Sequence, residues 1–419
     1  MKKTNVSTTV KNKLCLGCGV CEDICPKHCI HIEHGRTNNP VVDDNACIEC
    51  GKCLKACAGL GINIEERAKA LYADEGTIDN VYFGHYVACY KGYSTDHDIR
   101  YHSASGGCLS QFLIWLLEKG LIDGAVVTKF REDAPMTPQP FIARSKAEIL
   151  SGKSSKYCVV SIEGILTEIR QTTGRYVVVG LPCHIHAVRK SMDVDNQLRS
   201  RIAGCFAIYC SGNKTMDSQK YLLYRYGVDE KKLKHFAYRD EGCLGSMHFR
   251  DHKGENLVKP IYYLDYYLGM RSFFSIPRCG LCNDFFGELA DVAFGDLNRG
   301  KETDDPIGIN TLIARSQYWD GLLRQCQNEG CLWMETVDEE TMINANGGCR
   351  SGKKGEDFYA QRNLRQFFGQ AVPEYDNLLD VHPSKNAYVK ALLTRVTRFV
   401  GKHRSLWFII KILDKNKNN

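Results

Sequence analysis

The amino-acid sequence predicts a protein of mixed α+β or α/β class, with a small cysteine-rich domain, a larger core built on a mixed sheet, and a basic helical tail. Three observations support this prediction. The N-terminal region carries an eight-cysteine double repeat, the middle of the chain alternates strand and helix patterns before a series of hairpins, and residues 385–419 are strongly basic. A chain of 419 residues also exceeds one typical domain, so several folding units are expected.

The double repeat defines the first unit, residues 1–66. The segments 15–25 and 47–57 each contain four cysteines, with two, two and three residues between them. Pro26 follows the first segment, whereas Ala58 takes the equivalent position after the second. This is the spacing of bacterial two-cluster ferredoxins, in which one tight turn supplies three thiolates to a 4Fe–4S cluster and the other repeat supplies the fourth.

The spacing assigns the eight cysteines to two 4Fe–4S clusters. The first cluster is expected on Cys15, Cys18, Cys21 and Cys57, and the second on Cys47, Cys50, Cys53 and Cys25. A pair of zinc sites or four disulfides is the alternative, but zinc sites usually separate two Cys-x2-Cys pairs widely along the chain. The ferredoxin-like unit therefore indicates the transfer of single electrons.

The number of cysteines and the first residues of the chain indicate the cellular compartment in which the protein is expected. The chain has 21 cysteines, and Met1 is followed by lysines and polar residues rather than by the apolar stretch of a secretion signal. No apolar segment has the length of a membrane-spanning helix. We therefore expect reduced, largely metal-bound cysteines in a cytoplasmic protein, and we expect no nucleic-acid partner.

The second unit, predicted for residues 80–380, shows strand and helix patterns in alternation. Helices are predicted at 109–118, 162–171, 184–191, 215–226 and 318–327. Strands are predicted at 125–130, 176–180, 202–209, 235–239, 246–250, 257–262, 291–295 and 309–314. Helices alternate with strands first and hairpins follow, which is typical of a mixed sheet.

Four further cysteines fall where the second unit could bind a ligand. Cys183 lies in a strand-to-helix turn, Cys210 follows a strand, and Cys279 and Cys282 form a Cys-x2-Cys pair. Ligand crevices form at the carboxyl ends of strands in α/β sheets, and a helix N-terminus favours the thiolate. A third 4Fe–4S cluster is one interpretation. A thioredoxin-like dithiol is the other, although it needs a strand before the pair and a helix after it, and both flanks are predicted as loops.

A turn of small residues, 103–107, opens the first helix of this unit. Such turns let backbone amides approach an anion such as a phosphate, but many serve only as helix caps. Lys156 and Tyr157 could add charge and stacking for a flavin, although taken alone they are better explained as surface residues. The turn by itself therefore leaves both interpretations open.

Five short motifs occur in order along the chain. They are Ser105-Gly-Gly107, Ser155-Lys-Tyr157, Gly180-Leu-Pro-Cys183, Cys279-x2-Cys282 and Ala290-Asp-Val-Ala-Phe-Gly-Asp296. With a two-cluster ferredoxin unit in front of them, the chain resembles the beta-subunit family of coenzyme F420 hydrogenases and dehydrogenases over about residues 10–350. Relatives of that family include chlorophyll-pathway reductases and homologues found beside bacterial glycan genes.

The resemblance implies cofactors and the residues that bind them. The family carries FAD with a 4Fe–4S cluster close to it. The FAD-binding residues implied by the match are Ser105, Gly106, Gly107, Lys156 and Tyr157. The implied ligands of the inner cluster are Cys183, Cys210, Cys279 and Cys282. No catalytic side chain is implied, because FAD itself links hydride transfer to single-electron transfer.

Two functions follow from the resemblance as expectations. The first is an FAD-dependent oxidoreductase that passes electrons between coenzyme F420, or a related small redox substrate, and one-electron carriers through its 4Fe–4S clusters. The second is an electron-relay subunit of a larger complex, and a ferredoxin-dependent reductase of glycan or polysaccharide metabolism is a further variant. The expected partners are the small substrate and either ferredoxin or a partner redox subunit.

The tail, predicted for residues 381–419, combines positive charge with an apolar face. From Lys385 onward, nine Lys or Arg residues stand against one acidic residue, Asp414. Apolar residues at helical spacing are Val389, Leu392, Leu393, Val396, Phe399 and Val400, and a second apolar run covers 406–410, Ile412 and Leu413. Such a segment suits peripheral contact with the anionic inner face of a membrane. Packing on the protein's own core or on a partner subunit is the alternative.

Overall fold

The computed structural model describes residues 4–72, 76–270, 272–297, 305–346 and 349–415. The remaining positions include both ends of the chain, residues 1–3 and 416–419. Those parts of the predicted first unit and of the predicted tail therefore lie outside the described residues.

The N-terminal unit consists of short helices around a two-stranded antiparallel sheet. Its helices are α1 (Ser7–Lys11), α2 (Val20–Asp23), α3 (Lys52–Ala56) and α4 (Ile64–Tyr72), and its strands are β1 (Ile30–Glu33) and β2 (Asn39–Val42). Helices α2 and α3 both follow a left-handed glycine, Gly19 at φ 81° and Gly51 at φ 70°. The sequence repeat is therefore also a repeat of local structure.

A mixed sheet forms the centre of the larger unit. The strands that follow β2 are β3 (Ile78–Asn80), β4 (Gly84–Tyr86), β5 (Ala88–Ser94), β6 (Gly124–Phe130), β7 (Pro138–Ala143), β8 (Tyr176–Gly180), β9 (Ile202–Ile208), β10 (His235–Asp240), β11 (Ser246–Arg250), β12 (Ile261–Tyr262), β13 (Val292–Asp296), β14 (Asn310–Ala314) and β15 (Leu332–Thr336). Eight of them form one sheet in the order β15-β5-β14-β13-β9-β8-β6-β7. Strands β6, β8, β9 and β13 are parallel, and antiparallel strands flank them on both sides.

Helices cover both faces of this sheet. They are α5 (His97–Tyr101), α6 (Cys108–Glu118), α7 (Lys146–Ser151), α8 (Ile165–Gln171), α9 (Pro182–Val194), α10 (Asn196–Arg201), α11 (Asp217–Tyr226), α12 (Tyr263–Met270), α13 (Gln317–Asn328), α14 (Glu339–Ala345), α15 (Glu356–Phe367), α16 (Lys385–Lys402) and α17 (Trp407–Lys415). Because side chains alternate along a strand, Val126 belongs to the same buried cluster as Ile185 of α9, whereas Val127 belongs to a second cluster with Phe112 of α6.

The N-terminal unit shares its core with one face of the sheet. Ile24, Ile62 and Ile64 belong to the same buried cluster as Ile185 and Val188 of α9. The predicted boundary at residue 66 falls inside α4. The division of the chain into residues 1–66, 80–380 and 381–419 stays a prediction, while the shared core fixes the cysteine repeat against α9.

The predicted mixed α/β architecture is confirmed, with small shifts at the ends of its helices and strands. Strand β8 has the predicted bounds, and α6 ends as predicted before Gly120, which is left-handed at φ 63°. The helix predicted at 162–171 begins only at Ile165, because Gly164 takes φ 81° at its N-cap.

In the larger unit one predicted strand is shortened, and five observed strands were not predicted, namely β3, β4, β5, β7 and β15. The strand predicted at 257–262 is reduced to Ile261–Tyr262. The pattern also missed the edge strand β7, which contains Pro138 and Pro140 and presents only its last two residues to the core. An edge strand tolerates proline because one side of its backbone needs no sheet partner.

The tail forms the predicted helices, but its two apolar runs have different environments. Along α16 the side chains of Val389, Leu392, Leu393, Val396 and Phe399 are exposed. In α17, Trp407 and Ile410 are buried in a cluster with Tyr221 and Phe274. Two residues of the second run therefore pack on the protein's own core, whereas Phe408, Ile412 and Leu413 of that run are exposed, as is the α16 stripe. Among the described residues, no helix combines the length and apolar character needed to cross a bilayer.

Candidate redox centre

The four thiols predicted for the first cluster lie together. Cys15 and Cys18 precede α2, Cys21 lies in α2, and Cys57 directly follows α3; we call them the first outer group. Burial raises the pKa of Cys15 to about 11 and that of Cys18 to about 12, and the neighbouring Cys57 adds to both shifts. Thiols held this close in a buried pocket ionise only when a cation offsets their charge, which suits an iron–sulfur cluster.

The thiols predicted for the second cluster also converge. Cys25, Cys47, Cys50 and Cys53, the second outer group, line one small cavity. Burial raises the pKa of Cys53, and the adjacent Cys25 and Cys50 contribute to the rise. Cys50 is exposed, so this group is the one that reaches the protein surface. Cys25 thus lies with the thiols of the other repeat, as crossed ligation requires.

Three distant segments of the core bring together Cys183, Cys210, Cys279 and Cys282, which we call the inner group. Cys183 is in the first turn of α9, Cys210 follows β9, and the pair lies at a 3-10 helix, Pro277–Leu281. Burial raises the pKa of Cys183 well above its ordinary value, and the other three thiols raise it further. The convergence of four cysteines suits a third cluster.

The surroundings of the Cys-x2-Cys pair do not match a thioredoxin-like dithiol. Within the part of the chain that the structure describes, α12 ends at Met270 and the next strand begins at Val292, with only the 3-10 helix between them. The strand before the pair and the α-helix after it are therefore missing from this region. Without that helix, the dipole that activates such a cysteine is also absent.

A buried lysine that the sequence analysis missed lies beside the inner group. Lys353 is 5% exposed, and its Nζ donates to the carbonyl oxygen of Cys279 at 3.1 Å. Burial alone would lower the pKa of Lys353, but the nearby Cys282, Cys210 and Cys279 raise it above its ordinary value. The ammonium group therefore offsets negative charge at this position, whether the charge is on thiolates or on a cluster.

The inner group lies next to the first outer group. Cys18 is among the residues that raise the pKa of Cys183, after burial and the other inner thiols. Two helical turns after Cys183 in α9, Lys190 donates from Nζ to the carbonyl oxygens of Cys57 at 2.7 Å and Gly61 at 3.1 Å. Helix α9 thus fixes both groups of thiols.

A cavity of about 340 Å³ reaches the inner group at Cys210. It is lined by Ser105, Gly107, Lys156 and Tyr157, four of the five residues predicted to bind FAD, and also by Cys210. The fifth residue, Gly106, is not part of the lining: a Cβ there would lie 2.7 Å from the Gly92 carbonyl oxygen and 2.8 Å from the Asn310 amide nitrogen. Gly106 lets the turn pack closely against the sheet.

Lys156 is half-buried rather than a free surface residue, because its ammonium group turns back onto the backbone. Its Nζ donates to the carbonyl oxygens of Gly152 at 2.7 Å, Lys153 at 2.6 Å and Ser154 at 3.1 Å. Burial lowers the pKa of Lys156 to about 7. The side chain therefore holds the 152–154 turn in shape at the cavity wall.

One wall of the cavity is aromatic and carries a charge that pattern analysis missed. Tyr157 packs against Tyr267, with ring centroids 4.9 Å apart, and against Tyr263 at 5.9 Å. Arg239 is fully buried and pairs with Asp296 at 2.6 Å from Nη1. Its second terminal nitrogen, Nη2, is buried and has no hydrogen-bond partner among the described residues.

These features suit a flavin nucleotide. The volume is in the range of ~300–1,000 Å³ found for ligand sites. Helix α6 starts at the cavity wall with Gly107 as its N-cap, and the positive end of its dipole favours an anionic group, although the Cys108 amide already donates to Asn310 Oδ1 at 3.0 Å. The unpaired Arg239 nitrogen supplies a donor, and the tyrosines supply flat apolar surface.

Comparison with known proteins identifies family models that match this chain. Two family models described as the N-terminus and C-terminus of the coenzyme F420 hydrogenase/dehydrogenase beta subunit match residues 89–167 and 173–340. A model described as a 4Fe–4S dicluster domain matches residues 14–62. The three matches cover both outer groups, the inner group and the cavity.

Individual relatives are distant in sequence. Coenzyme F420 hydrogenase subunit beta of Methanosarcina barkeri is 23% identical over 277 residues, which is 62% of this chain and 86% of that protein. Coenzyme F420-dependent sulfite reductase of Methanocaldococcus jannaschii is 25% identical over 331 residues, 76% of this chain but only 46% of that protein. A chain of the F420-reducing hydrogenase complex from Methanosarcina barkeri superimposes with a TM-score of 0.54 at 20% identity, covering 71% of this chain and 98% of that chain, which shows a shared fold.

Proposed function

Because the chain belongs to the coenzyme F420 hydrogenase/dehydrogenase beta-subunit family, we propose that it is an iron–sulfur flavoprotein oxidoreductase. It binds FAD in the 340 Å³ cavity and exchanges electrons between a hydride donor or acceptor and one-electron carriers. The hydride partner is coenzyme F420 or a related small substrate. One observation carries this proposal: Cys210 of the inner group and the turn at Ser105 line the same cavity.

The order of the thiol groups supports an electron path through the protein. The cavity contacts the inner group at Cys210, and the inner group lies beside the first outer group at Cys18. The second outer group follows across the repeat and reaches the surface at Cys50. With a 4Fe–4S cluster in each group, electrons enter or leave at that surface.

FAD, when bound, supplies the exchange between two-electron hydride chemistry and one-electron transfer. The chain's own residues bind and orient the ring. Tyr157 and Tyr267 form an aromatic wall with their rings tilted by 52°, Arg239 offers its Nη2 donor, and Lys156 holds the wall's turn in place. The pair between Arg239 and Asp296 keeps the buried guanidinium in one orientation.

A relay subunit within a larger complex is the second candidate function. The observation that favours it is the exposed face of the second outer group, where Ile48 is 56% exposed beside Cys50. An apolar residue next to a surface cluster suits docking of another redox protein. The relay candidate requires the clusters but not hydride transfer within this chain.

Flavin content separates the two candidates. Protein purified or reconstituted under anaerobic conditions is expected to release FAD on denaturation, and reduced coenzyme F420 is expected to bleach the absorbance of the bound flavin. Bound FAD that coenzyme F420 does not bleach would leave an oxidoreductase acting on another small molecule. Protein that takes up iron but no FAD would favour the relay subunit.

We further propose that the α16 stripe contacts an anionic membrane surface. The stripe consists of Val389, Leu392, Leu393, Val396 and Phe399, all exposed. Helix α16 contains five Lys or Arg residues and no acidic residue, so its charge complements anionic lipid rather than a basic partner. The alternative is that a partner subunit covers the same stripe, and the experiment must distinguish the two.

A further inference from the structure

Cys29 is a fifth thiol in the pocket of the second outer group. It falls outside the cysteine repeat, since Gly61 stands at the equivalent position of the second half. Its Sγ lies 3.4 Å from the Sγ of Cys25, and its thiol is also within hydrogen-bond reach of Cys47. Cys29 lines the same small cavity as the four predicted ligands.

The local backbone places this thiol at the end of a tight turn. After Cys25 the chain reverses through His28, whose φ is 49°, and the amide of His28 donates to the Cys25 carbonyl oxygen at 3.2 Å. The Cys29 carbonyl oxygen then accepts from the amide of Asp43 at 2.8 Å, at the end of the β1–β2 ladder. The thiol is therefore fixed beside Cys25 by backbone hydrogen bonds on both sides of the turn.

A cysteine buried only as a small apolar residue would contact aliphatic side chains. The Cys29 sulfur contacts the thiols of Cys25 and Cys47 in addition to the apolar residues of its cluster, Val6 and Ile30. The Sγ of Cys57, the equivalent of Cys25 in the other repeat, lies 3.7 Å from the Thr9 hydroxyl oxygen. The additional thiol thus belongs to one outer group and has no counterpart in the sequence of the other.

We propose that Cys29 is a reserve ligand of the second outer cluster. This inference rests on the proposed ligation of that cluster by Cys25, Cys47, Cys50 and Cys53. In the exchange, a bond forms between iron and the Cys29 sulfur while the bond between iron and the Cys25 sulfur breaks. The proton of the Cys29 thiol moves to the departing Cys25 thiolate, so neither electrons nor net charge change.

The position of the cluster gives this exchange a use. The second outer group has its thiol Cys50 at the surface, so its cluster is open to oxidants and solvent, while Cys25 and Cys29 lie side by side in the buried part of the same pocket. A thiol 3.4 Å from the ligand sulfur can reach the same iron by a side-chain rotation. The cluster then survives damage to Cys25 and remains the entry point for electrons.

Alanine variants of the full-length protein test the proposal by iron content. Reconstituted wild type is expected to hold about four irons per cluster in each of three clusters. Cys25→Ala should keep the wild-type iron and sulfide content, with a shifted EPR signal of the reduced cluster. Cys25→Ala/Cys29→Ala should lose about four irons and that signal. Cys29→Ala alone should keep its iron content.

Cys57→Ala is the matched control, because Gly61 leaves its cluster without a reserve thiol at the equivalent position. It should lose about four irons as a single variant. The proposal is overturned if Cys25→Ala loses as much iron as the double variant, or if it fails to fold while Cys29→Ala folds. Failure of the underlying cluster assignment is distinguishable, because wild type itself would then lack the iron of the outer clusters.

Discussion

The guanidinium of Arg278 donates a hydrogen bond from Nε to the carbonyl oxygen of Gly59, 2.8 Å away. Arg278 directly precedes Cys279 of the inner group, and Gly59 follows Cys57 of the first outer group by two residues. The same guanidinium also donates to the carbonyl oxygens of Ala58 at 3.3 Å and Leu281 at 2.9 Å. One buried side chain thus ties together the loops that carry two groups of thiols.

Arg278→Met is therefore expected to destabilise the contact between the two loops. Each buried carbonyl left without a donor costs ~1–3 kcal/mol, so a loss of about 3 kcal/mol in the free energy of unfolding is expected. Anaerobic thermal unfolding followed by circular dichroism measures it. Arg131→Met is the control, because Arg131 is an exposed residue paired with Asp133, and it should change stability by less than ~0.5 kcal/mol. Equal shifts for the two variants would contradict the role of Arg278.

Metal analysis tests the three groups of thiols together. Anaerobically purified protein should hold about twelve irons and twelve acid-labile sulfides, and no stoichiometric zinc. Cys282→Ala should lose about four irons from the inner cluster and leave the outer clusters in place. A wild-type content near eight irons would show that the inner group binds no cluster. Zinc in place of iron would remove the electron path altogether.

Two glycines at opposite ends of α6 provide a matched test of the flavin site. Gly107 and Gly120 are both left-handed, at φ 75° and φ 63°. A Cβ at Gly120 meets nothing within 4 Å, whereas Gly107 lines the cavity and its Cβ would lie 3.2 Å from the Ile99 carbonyl oxygen. Gly107→Leu should weaken FAD binding at least tenfold, about 1.4 kcal/mol, and Gly120→Leu should leave it unchanged. FAD fluorescence titration distinguishes the two, and equal affinities would argue against flavin in this cavity.

The α16 stripe predicts binding to anionic vesicles. Wild type should co-sediment with vesicles that contain phosphatidylserine but not with neutral vesicles, and salt should weaken the binding. Leu393→Glu/Val396→Glu should abolish it, because acidic groups then replace the apolar contact. Ile78→Glu/Val81→Glu, at exposed apolar positions away from the tail, should bind as wild type does. Substitution is preferable to truncation, because removal of Trp407 would open the core. Loss of binding to a partner protein, with no binding to vesicles, would instead indicate a subunit contact.

A buried carboxyl group predicts a pH dependence of stability. Burial raises the pKa of Asp23 from 3.8 to about 6. The hydrogen bonds that its carboxylate accepts from Thr167, Leu166 and Gly164 lower the pKa, but burial has the larger effect. The folded state therefore binds the proton more tightly than the unfolded state, so the free energy of unfolding should fall as pH rises from about 4 to about 6 and then level off. Between pH 5 and 7 the expected loss is ~1 kcal/mol.

Asp23→Asn should remove this decrease of the free energy of unfolding with pH, while Asp133→Asn, at an exposed position, should retain it. Thermal unfolding midpoints between pH 5 and 7 provide the measurement. If wild type and Asp23→Asn follow parallel curves, the carboxyl group at the contact between α2 and α8 is ionised throughout.

Pattern analysis located the parts of the redox centre that depend on local spacing. The positions of four cysteines around Gly19, and again around Gly51, define a turn that can supply three ligands without reference to the rest of the fold. The same holds for the helix that ends before Gly120, because its start and stop signals lie within the segment itself. Such features depend on neighbours along the chain, which a single sequence displays.

Groups that meet through space were out of reach of the same reasoning. Lys353 and Arg278 lie at the inner group, and Cys29 lies at the second outer group, each brought there by packing between distant segments. The sequence shows only that these residues can be charged or can bind a metal. Whether a lysine is exposed or buried beside thiols depends on which surfaces the chain covers.

The sequence by itself determined that this protein carries a ferredoxin-like repeat, a mixed sheet and an amphipathic basic tail, because spacing and periodicity are properties of the chain. The tertiary structure decided which of these residues act together. It placed Cys210 at the wall of the cavity and buried Trp407 while leaving Leu393 exposed. The physical reason is that burial and distance arise from contacts between segments far apart in the chain, and a one-dimensional pattern does not contain them.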